Sequence, residues 1–157
     1  MRCKLGKSSK PRKKHVPRLL KDGLITIMEI NNILLPLEHM VVQLKQGELF
    51  VKNDVPVIKN WNNFICPAVP AILDWVNCFN RIAKGEGIQA EWKALFQLTI
   101  SIQEGEDLTE TLLNEAEAEI NVCRSIMRRL TRSKFRSYIT TEMIAIEQAA
   151  LGNTTPD

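Results

Sequence analysis

The spacing of apolar side chains, which recur every three or four residues through most of the chain, is the feature that most constrains its fold. The clearest stretch starts at Asp107, whose carboxylate is expected to cap a helix together with Glu110. The spacing puts the apolar side chains on one face of a helix of about 24 residues. This face consists of Leu113, Ala116, Ile120, Cys123, Met127 and Leu130.

Four other segments show the same spacing and predict further helices. The first begins after Asp22 and is interrupted by Pro36, which lacks an N–H and predicts a kink or a split into two helices. The second, third and fourth run over residues 70–83, 92–102 and 137–151. The side chains predicted to face inward are Leu24, Ile27, Ile30, Leu34, Leu37, Val41 and Leu44 in the first helix and Ile139, Met143, Ile146 and Ala150 in the last.

Helices with one apolar face bury it most simply against each other. The sequence therefore predicts an all-α fold, a small helical bundle of four to six helices with more than half of the residues helical. Residues 48–58 combine β-prone side chains with a turn at Asn53-Asp54, and they predict either a short hairpin at a sheet edge or an irregular loop. The predicted core includes Trp75, Phe79, Trp92, Phe96, Ile120, Cys123 and Met127.

Charge is distributed unevenly along the chain. Residues 1–21 carry a net charge of +9, residues 22–123 carry −9, residues 124–136 carry +6 and residues 137–157 carry −3. The first region is rich in Lys and poor in large apolar side chains, so it is predicted to be a disordered basic arm. Residues 22–152 are predicted to form a single helical domain, and residues 153–157 are predicted to be a frayed C-terminus.

The sequence lacks the motifs that carry common enzyme and metal chemistry. Its four cysteines form no Cys-x-x-Cys pair, its glycines form no phosphate-binding loop, and neither His-Glu-x-x-His nor Gly-x-Ser-x-Gly occurs. Glu115, Glu117 and Glu119 alternate along a helix, which is typical of a solvated face rather than of a carboxylate site. We therefore predict that the protein is not an enzyme and has no catalytic residues, no metal and no cofactor.

The sequence also lacks two kinds of segment that would direct it to a membrane or out of the cell. No apolar run approaches the roughly 20 residues that a membrane-spanning helix needs. The first residues also lack the apolar run and small-residue cleavage site of a secretory signal. The sequence predicts no membrane partner and a cytoplasmic protein, in which reduced cysteines are expected.

Two basic segments are candidate nucleic-acid-binding regions, since cations that neutralise phosphates gain affinity by releasing counterions. In residues 124–136, Arg124, Arg128 and Arg132 recur every four residues. An alternative is a solubilising helix end, whose cations complement the helix dipole. The arm has no aromatic side chain to stack on bases, which indicates weak sequence specificity. Its candidate contacts are Lys10, Arg12, Lys13, Lys14 and Arg18.

Part of the chain resembles a loosely defined set of small prophage-borne proteins. Lys10-Pro-Arg-Lys-Lys-His-Val-Pro17 is similar to the basic Arg-Lys-x-x-x-Pro tail with which those proteins begin. Trp75, Asn80, Ile82-Ala83 and Gly87-Ile-Gln-Ala-Glu-Trp92 resemble a later Trp…Asn…Ala…Gly-Ile-Gly-Ala-Glu-Tyr pattern, from which Gln89 and Trp92 depart. Residues 108–113 then stand where the set has its last long helix. The resemblance implies a mobile-element context and a helical fold, and it implies no functional residues.

Two hypotheses of function follow. The first is an accessory or regulatory protein of a mobile element that binds nucleic acid through phosphate contacts. The alternative is a protein-interaction module, such as an inhibitor of a host protein, whose acidic middle region meets a basic partner surface. A homodimer is compatible with both, because long amphipathic helices pair readily.

Overall fold

The computed structural model describes residues 22–59 and 64–153, so the predicted arm, residues 1–21, and residues 154–157 lie outside the described part. Within it the chain forms five helices and one small sheet, and the helices hold more than half of the 157 residues. The elements are α1 (Ile27–Lys45), β1 (Phe50–Lys52), β2 (Val55–Lys59), β3 (Ile65–Pro67), α2 (Ala68–Gly85), α3 (Lys93–Glu104), α4 (Glu110–Met127) and α5 (Arg132–Asn153). The predicted helical bundle is confirmed.

Helix α1 begins with a capping box that the sequence analysis did not identify. The Glu29 amide donates to Thr26 Oγ1 at 3.2 Å, and the Thr26 amide donates to Glu29 Oε2 at 3.1 Å. The helix is continuous through Pro36, so of the two predicted alternatives, a kink or a split, the split is wrong. Its buried face starts at Ile30 and not earlier, because Leu24 precedes the helix and Ile27, the first helical residue, is exposed.

Of the two predictions for residues 48–58, the hairpin is correct. Asn53 and Asp54 form its turn with positive φ angles of 52° and 64°, a conformation that Asn and Asp tolerate well. A third strand, β3, was not predicted, and it makes β2 the central strand. The central position tolerates Pro56 because β3 pairs only with residues 57–59.

Helix α4 is the best-predicted element. All six apolar side chains of its predicted face are buried. The predicted cap is wrong: Thr109 is the N-cap, with its Oγ1 accepting from the Leu112 amide at 3.1 Å. The helix has 18 residues because it starts at Glu110 and ends at Met127, before the chain turns.

The N-terminus of α3 is capped by α4. Both oxygens of Glu119 accept backbone amides, from Ala94 at 2.8 Å and from Leu95 at 2.9 Å. The alternation of residues 98–102 resembles a strand, but the segment is helical. Phe96 was predicted to be buried and is 51% exposed, because Leu95, on an adjacent face of the helix, points into the core instead.

Helix α5 departs most from its prediction. It begins at Arg132 rather than near residue 137, and it packs on α2. Phe135 and Glu142 are its buried side chains. The predicted inward face lies at the edge of the contact with α2 and is only partly covered: Ile139 is half-buried, whereas Met143, Ile146 and Ala150 are exposed. Of the rest of the predicted core, Phe79, Trp92, Ile120, Cys123 and Met127 are buried as predicted, whereas Trp75 is only half-buried.

Candidate nucleic-acid interface

Residues 124–136, here called the basic turn, join the end of α4 to the start of α5. Leu130 is fully buried and anchors the connection. The start of the described chain pairs with it: the Ile25 amide donates to the Leu130 carbonyl at 2.9 Å, and the Arg132 amide donates to the Gly23 carbonyl at 3.0 Å. The turn is therefore fixed by backbone hydrogen bonds from a segment more than 100 residues away in sequence.

Two oxygens cap the N-terminus of α5. Thr131 Oγ1 accepts from the Lys134 amide at 3.2 Å, and Asp22 Oδ1 accepts from the Ser133 amide at 2.8 Å. This second hydrogen bond lowers the pKa of Asp22 below its usual value. Since Asp22 is covalently bonded to Lys21, the predicted arm joins the domain at the basic turn.

The three arginines that recur every four residues, a spacing that predicts one stripe along a helix, occupy three different settings. Arg124 lies on α4, Arg128 lies in the connection and Arg132 begins α5. A stripe on a single helix was therefore the wrong geometry, although all three residues do belong to one turn. Their side chains also differ in how far they are engaged within the chain.

Arg124 is held by α1 and is only 20% exposed. Its Nη2 lies 2.6 Å from Glu38 Oε1, its Nε donates to Asn31 Oδ1 at 3.0 Å, and it also contacts Asn121. These contacts join α4 to α1. A phosphate would have to compete with Glu38 for this guanidinium, so a structural role explains Arg124 best.

Arg132 is partly engaged. Its Nε donates to Glu29 Oε1 at 3.1 Å and to Oε2 at 3.3 Å, and the side chain is half-exposed. The Thr26 amide lowers the pKa of Glu29 most, and Arg132 and Arg136 lower it further. Arg132 and Arg136 also flank a cavity of about 260 Å³ between α1 and α5.

Lys134 is engaged with Glu86 at the end of α2. Its Nζ lies 3.2 Å from Glu86 Oε2, which also accepts from the Tyr138 hydroxyl at 2.6 Å. The Tyr138 hydrogen bond lowers the pKa of Glu86, and the same bond raises the pKa of Tyr138 to about 12. These contacts fasten α5 to α2.

The remaining three cations of the basic turn form no ion pair at close range. Arg128, Arg129 and Arg136 are exposed, and their side chains form no salt bridge or hydrogen bond with any described residue, although the charge of Arg136 acts on Glu29. The spacing of four residues indicated Arg124, Arg128 and Arg132 as the candidate contacts. It could not show that Arg124 and Arg132 are paired, because Glu38 and Glu29 lie about 100 residues away in sequence. Arg129 and Arg136, which are outside that spacing, are more exposed than these two.

A second polar cluster, between α2 and α5, was also missed. Arg81 Nε lies 3.1 Å from Glu142 Oε1, and Glu142 is only 7% exposed. Burial raises the pKa of the nearby Asp74, and the charge of Glu142 raises it further. The cluster borders an open cavity of about 510 Å³. Its members come from helices that are 61 residues apart, so no local spacing could reveal it.

The arm residues Lys10, Arg12, Lys13, Lys14 and Arg18 lie outside the described residues. Across residues 22–59 and 64–153, no cluster of His, Cys, Asp and Glu is arranged to hold a metal ion. No helix in those same ranges is long and apolar enough to cross a membrane. Comparisons with family models, with curated proteins and with solved structures returned no match to the chain.

Proposed function

We propose that the protein is a non-enzymatic nucleic-acid-binding accessory or regulatory protein of a phage or another mobile element, acting in the cytoplasm. The basic turn and the arm contact phosphates. The observation that carries the proposal is a set of three exposed, unpaired arginines beside the point where a segment of nine cations joins the domain. The mobile-element context rests on the resemblance of the tail and of residues 75–92.

The proposal separates two kinds of cation in the basic turn. Arg124, Arg132 and Lys134 have carboxylate partners within the chain, which offset their charge. Arg128, Arg129 and Arg136 form no salt bridge with any described residue, and only Arg136 is attracted at longer range, by Glu29, so their binding to phosphate does not require an existing ion pair to break. Each phosphate contact of this kind contributes affinity that falls as salt rises.

We expect weak sequence specificity because the basic turn has no exposed aromatic side chain. Phe135 is its single aromatic residue and is buried in the core. Tyr138, just beyond the turn, donates its hydroxyl proton to Glu86. Without an exposed aromatic ring, the turn has no platform on which a base could stack. Contacts to the backbone position a protein on nucleic acid but do not read its sequence.

The experiment is binding of a labelled DNA duplex, followed by fluorescence anisotropy at several salt concentrations. In the full chain, Arg128→Gln/Arg129→Gln should weaken binding to every duplex sequence similarly. It should also reduce the slope of log affinity against log salt by about two units. The matched control is Lys52→Gln/Lys84→Gln, which removes two exposed charges elsewhere on the domain.

The control distinguishes binding at the basic turn from binding that depends only on the net charge of the protein. Equal losses in the two double variants would mean that binding follows total charge, and the basic turn would then have no special role. Unchanged binding in the arginine variant, with loss on removal of residues 1–21, would assign the interaction to the arm alone. Either result would overturn the role proposed for the turn.

One observation favours the alternative of a protein-interaction module. Five carboxylates around the start of α4 are exposed and have no partner among the described residues: Glu104, Glu106, Asp107, Glu110 and Glu115. Helix α4 therefore has an acidic start and a basic end, roughly 27 Å apart. If Asp107→Asn/Glu110→Gln abolished capture of a basic host protein while duplex binding stayed unchanged, this alternative would be favoured.

A further inference from the structure

The outward face of α5 has a regular pattern that the fold does not use. Arg136, Thr140, Met143, Glu147 and Ala150 follow one another at intervals of four and three residues, and all five are exposed. This spacing places them along one line of a helix, as in the seam of a coiled coil. Ile144, beside that line, is also exposed.

This face lies beside the contact with α2. Helix α5 turns Ile139 and Glu142 toward α2, and these side chains are half-buried and buried. Met143 borders the same contact at Trp75 and Cys78, yet it is 63% exposed, although it is one of the largest apolar side chains of the helix. Within the described residues, the apolar middle of α5 is therefore uncovered.

We infer that a second copy of the chain packs on this face, with the two α5 helices antiparallel. The charges along the face favour this occupant, since a cation, Arg136, precedes the apolar middle and a carboxylate, Glu147, follows it. Reversing the direction of the second helix brings Arg136 opposite Glu147 of the second copy. The symmetry of the pair forms this contact twice.

One alignment of the two antiparallel helices pairs the charged residues of the face with opposite charges. When Arg136 stands opposite Glu147 of the second copy, Thr140 stands opposite its Met143. Charged residues thus meet at the two ends, and Thr140 meets Met143 in the middle. In a parallel pair, Arg136 would instead lie beside Arg136 of the second copy, and Glu147 beside Glu147, which is unfavourable.

The expected dimer is weak. A single helix face from each copy buries less than the roughly 800 Å² per partner that is typical of stable complexes. We therefore expect dissociation constants on the order of micromolar, so that dimers form or separate within an ordinary concentration range.

The dimer has a consequence that rests on the proposed function. At a rise of about 1.5 Å per residue, the two copies of Arg132 lie roughly 30 Å apart along the helix axes. One turn of duplex DNA measures about 34 Å, which is the spacing at which dimeric proteins contact two half-sites. The pair would present two basic turns to one duplex, and in each turn Arg128 and Arg129 remain available for phosphate because Arg136 is then paired with Glu147 of the second copy.

The test measures the mass of the full chain by sedimentation velocity, from low to high micromolar concentration and without nucleic acid. The native chain should change from monomer to dimer. Arg136→Glu and Glu147→Arg should each remain monomeric at concentrations where the native chain is dimeric. An equimolar mixture of the two variants should form a heterodimer, because each mismatched charge then meets an opposite one.

Two controls protect this interpretation. Arg128→Glu makes the same charge change outside the face and should leave the dimer intact. Because Arg136 also acts on Glu29 of its own chain, circular dichroism should verify that Arg136→Glu remains folded. A native chain that is monomeric throughout, or single variants that dimerise normally, would overturn the inference. Since no nucleic acid is present, the binding proposal would be unaffected by that outcome.

Discussion

Helices α4 and α5 are neighbours in sequence and have similar apolar spacing, yet the bundle buries the whole stripe of α4 and leaves most of the α5 stripe exposed. Helix α4 contacts α1, α2 and α3, whereas α5 packs chiefly on α2. An apolar stripe therefore predicts a helix, but the number of neighbouring elements decides whether the stripe becomes core. In α5 the uncovered stripe is available to a partner.

The largest expected effect is the difference in stability between a substitution in the apolar stripe of α4 and one in the stripe of α5. Ile120 is fully buried on α4, so Ile120→Ala should lower the free energy of unfolding by about 2–5 kcal/mol. Met143→Ala on α5, measured at low protein concentration, should change it by less than about 0.5 kcal/mol. Urea denaturation measures both. A large loss for Met143→Ala in the monomer would mean that α5 contributes to the core after all.

The attachment of α5 to α2 can be tested at Gly85. This residue has an ordinary helical backbone, but an added Cβ would clash with the ring of Tyr138, which bonds to Glu86. We expect Gly85→Ala to lower the free energy of unfolding by about 1–3 kcal/mol, as overpacking usually does. Gly152→Ala is the matched control, because its Cβ would meet nothing and Ala favours a helix. Equal effects of the two would contradict the contact.

Two arginines of the basic turn should differ by a smaller amount in their effect on stability. Arg124→Gln leaves Glu38 without its cation, so we expect a loss of about 1–2 kcal/mol in the free energy of unfolding. Arg128→Gln removes an exposed cation without a described partner and should change stability by less than about 0.5 kcal/mol. Thermal denaturation at low salt compares them. Similar losses would show that Arg124 is not held by α1 in solution.

The smallest effect is expected from the arm. Removal of residues 1–21 leaves Asp22 in place to cap α5, so the melting temperature should stay within a few degrees. Removal of residues 1–23 also deletes Asp22 and the carbonyl of Gly23, and it should lower the melting temperature further. A large drop on the shorter deletion would mean that the arm itself packs on the domain.

The sequence was sufficient to predict the helical class and most of the core, because spacing and burial are linked within each helix. It was less successful at helix starts. Thr109 caps α4, where Asp107 was expected, and Thr26 caps α1, for which no cap was predicted. Several polar residues near a helix start can serve equally well as the cap. Which residue becomes the cap depends on the path of the chain before the helix, and the local sequence does not determine that path.

The candidate site was predictable only in part. The concentration of six cations in residues 124–136 is evident from the sequence. Which of them remain unpaired depends on Glu29, Glu38 and Glu86, which come from other helices. The same limit explains Glu119, predicted to be part of a solvated face, whose carboxylate instead caps α3. Charges that meet through tertiary contacts leave no pattern in the local sequence.

The contrast between α4 and α5 can be measured in one experiment, oxidation of individual methionines by peroxide at low and high protein concentration. Met127 on α4 is fully buried and should resist oxidation throughout, whereas Met28, 71% exposed on α1, should react throughout. Met143 should react like Met28 in the dilute protein and become protected as the concentration rises, because the second copy covers it. Oxidation of Met143 that follows Met28 at every concentration would contradict the paired α5 helices.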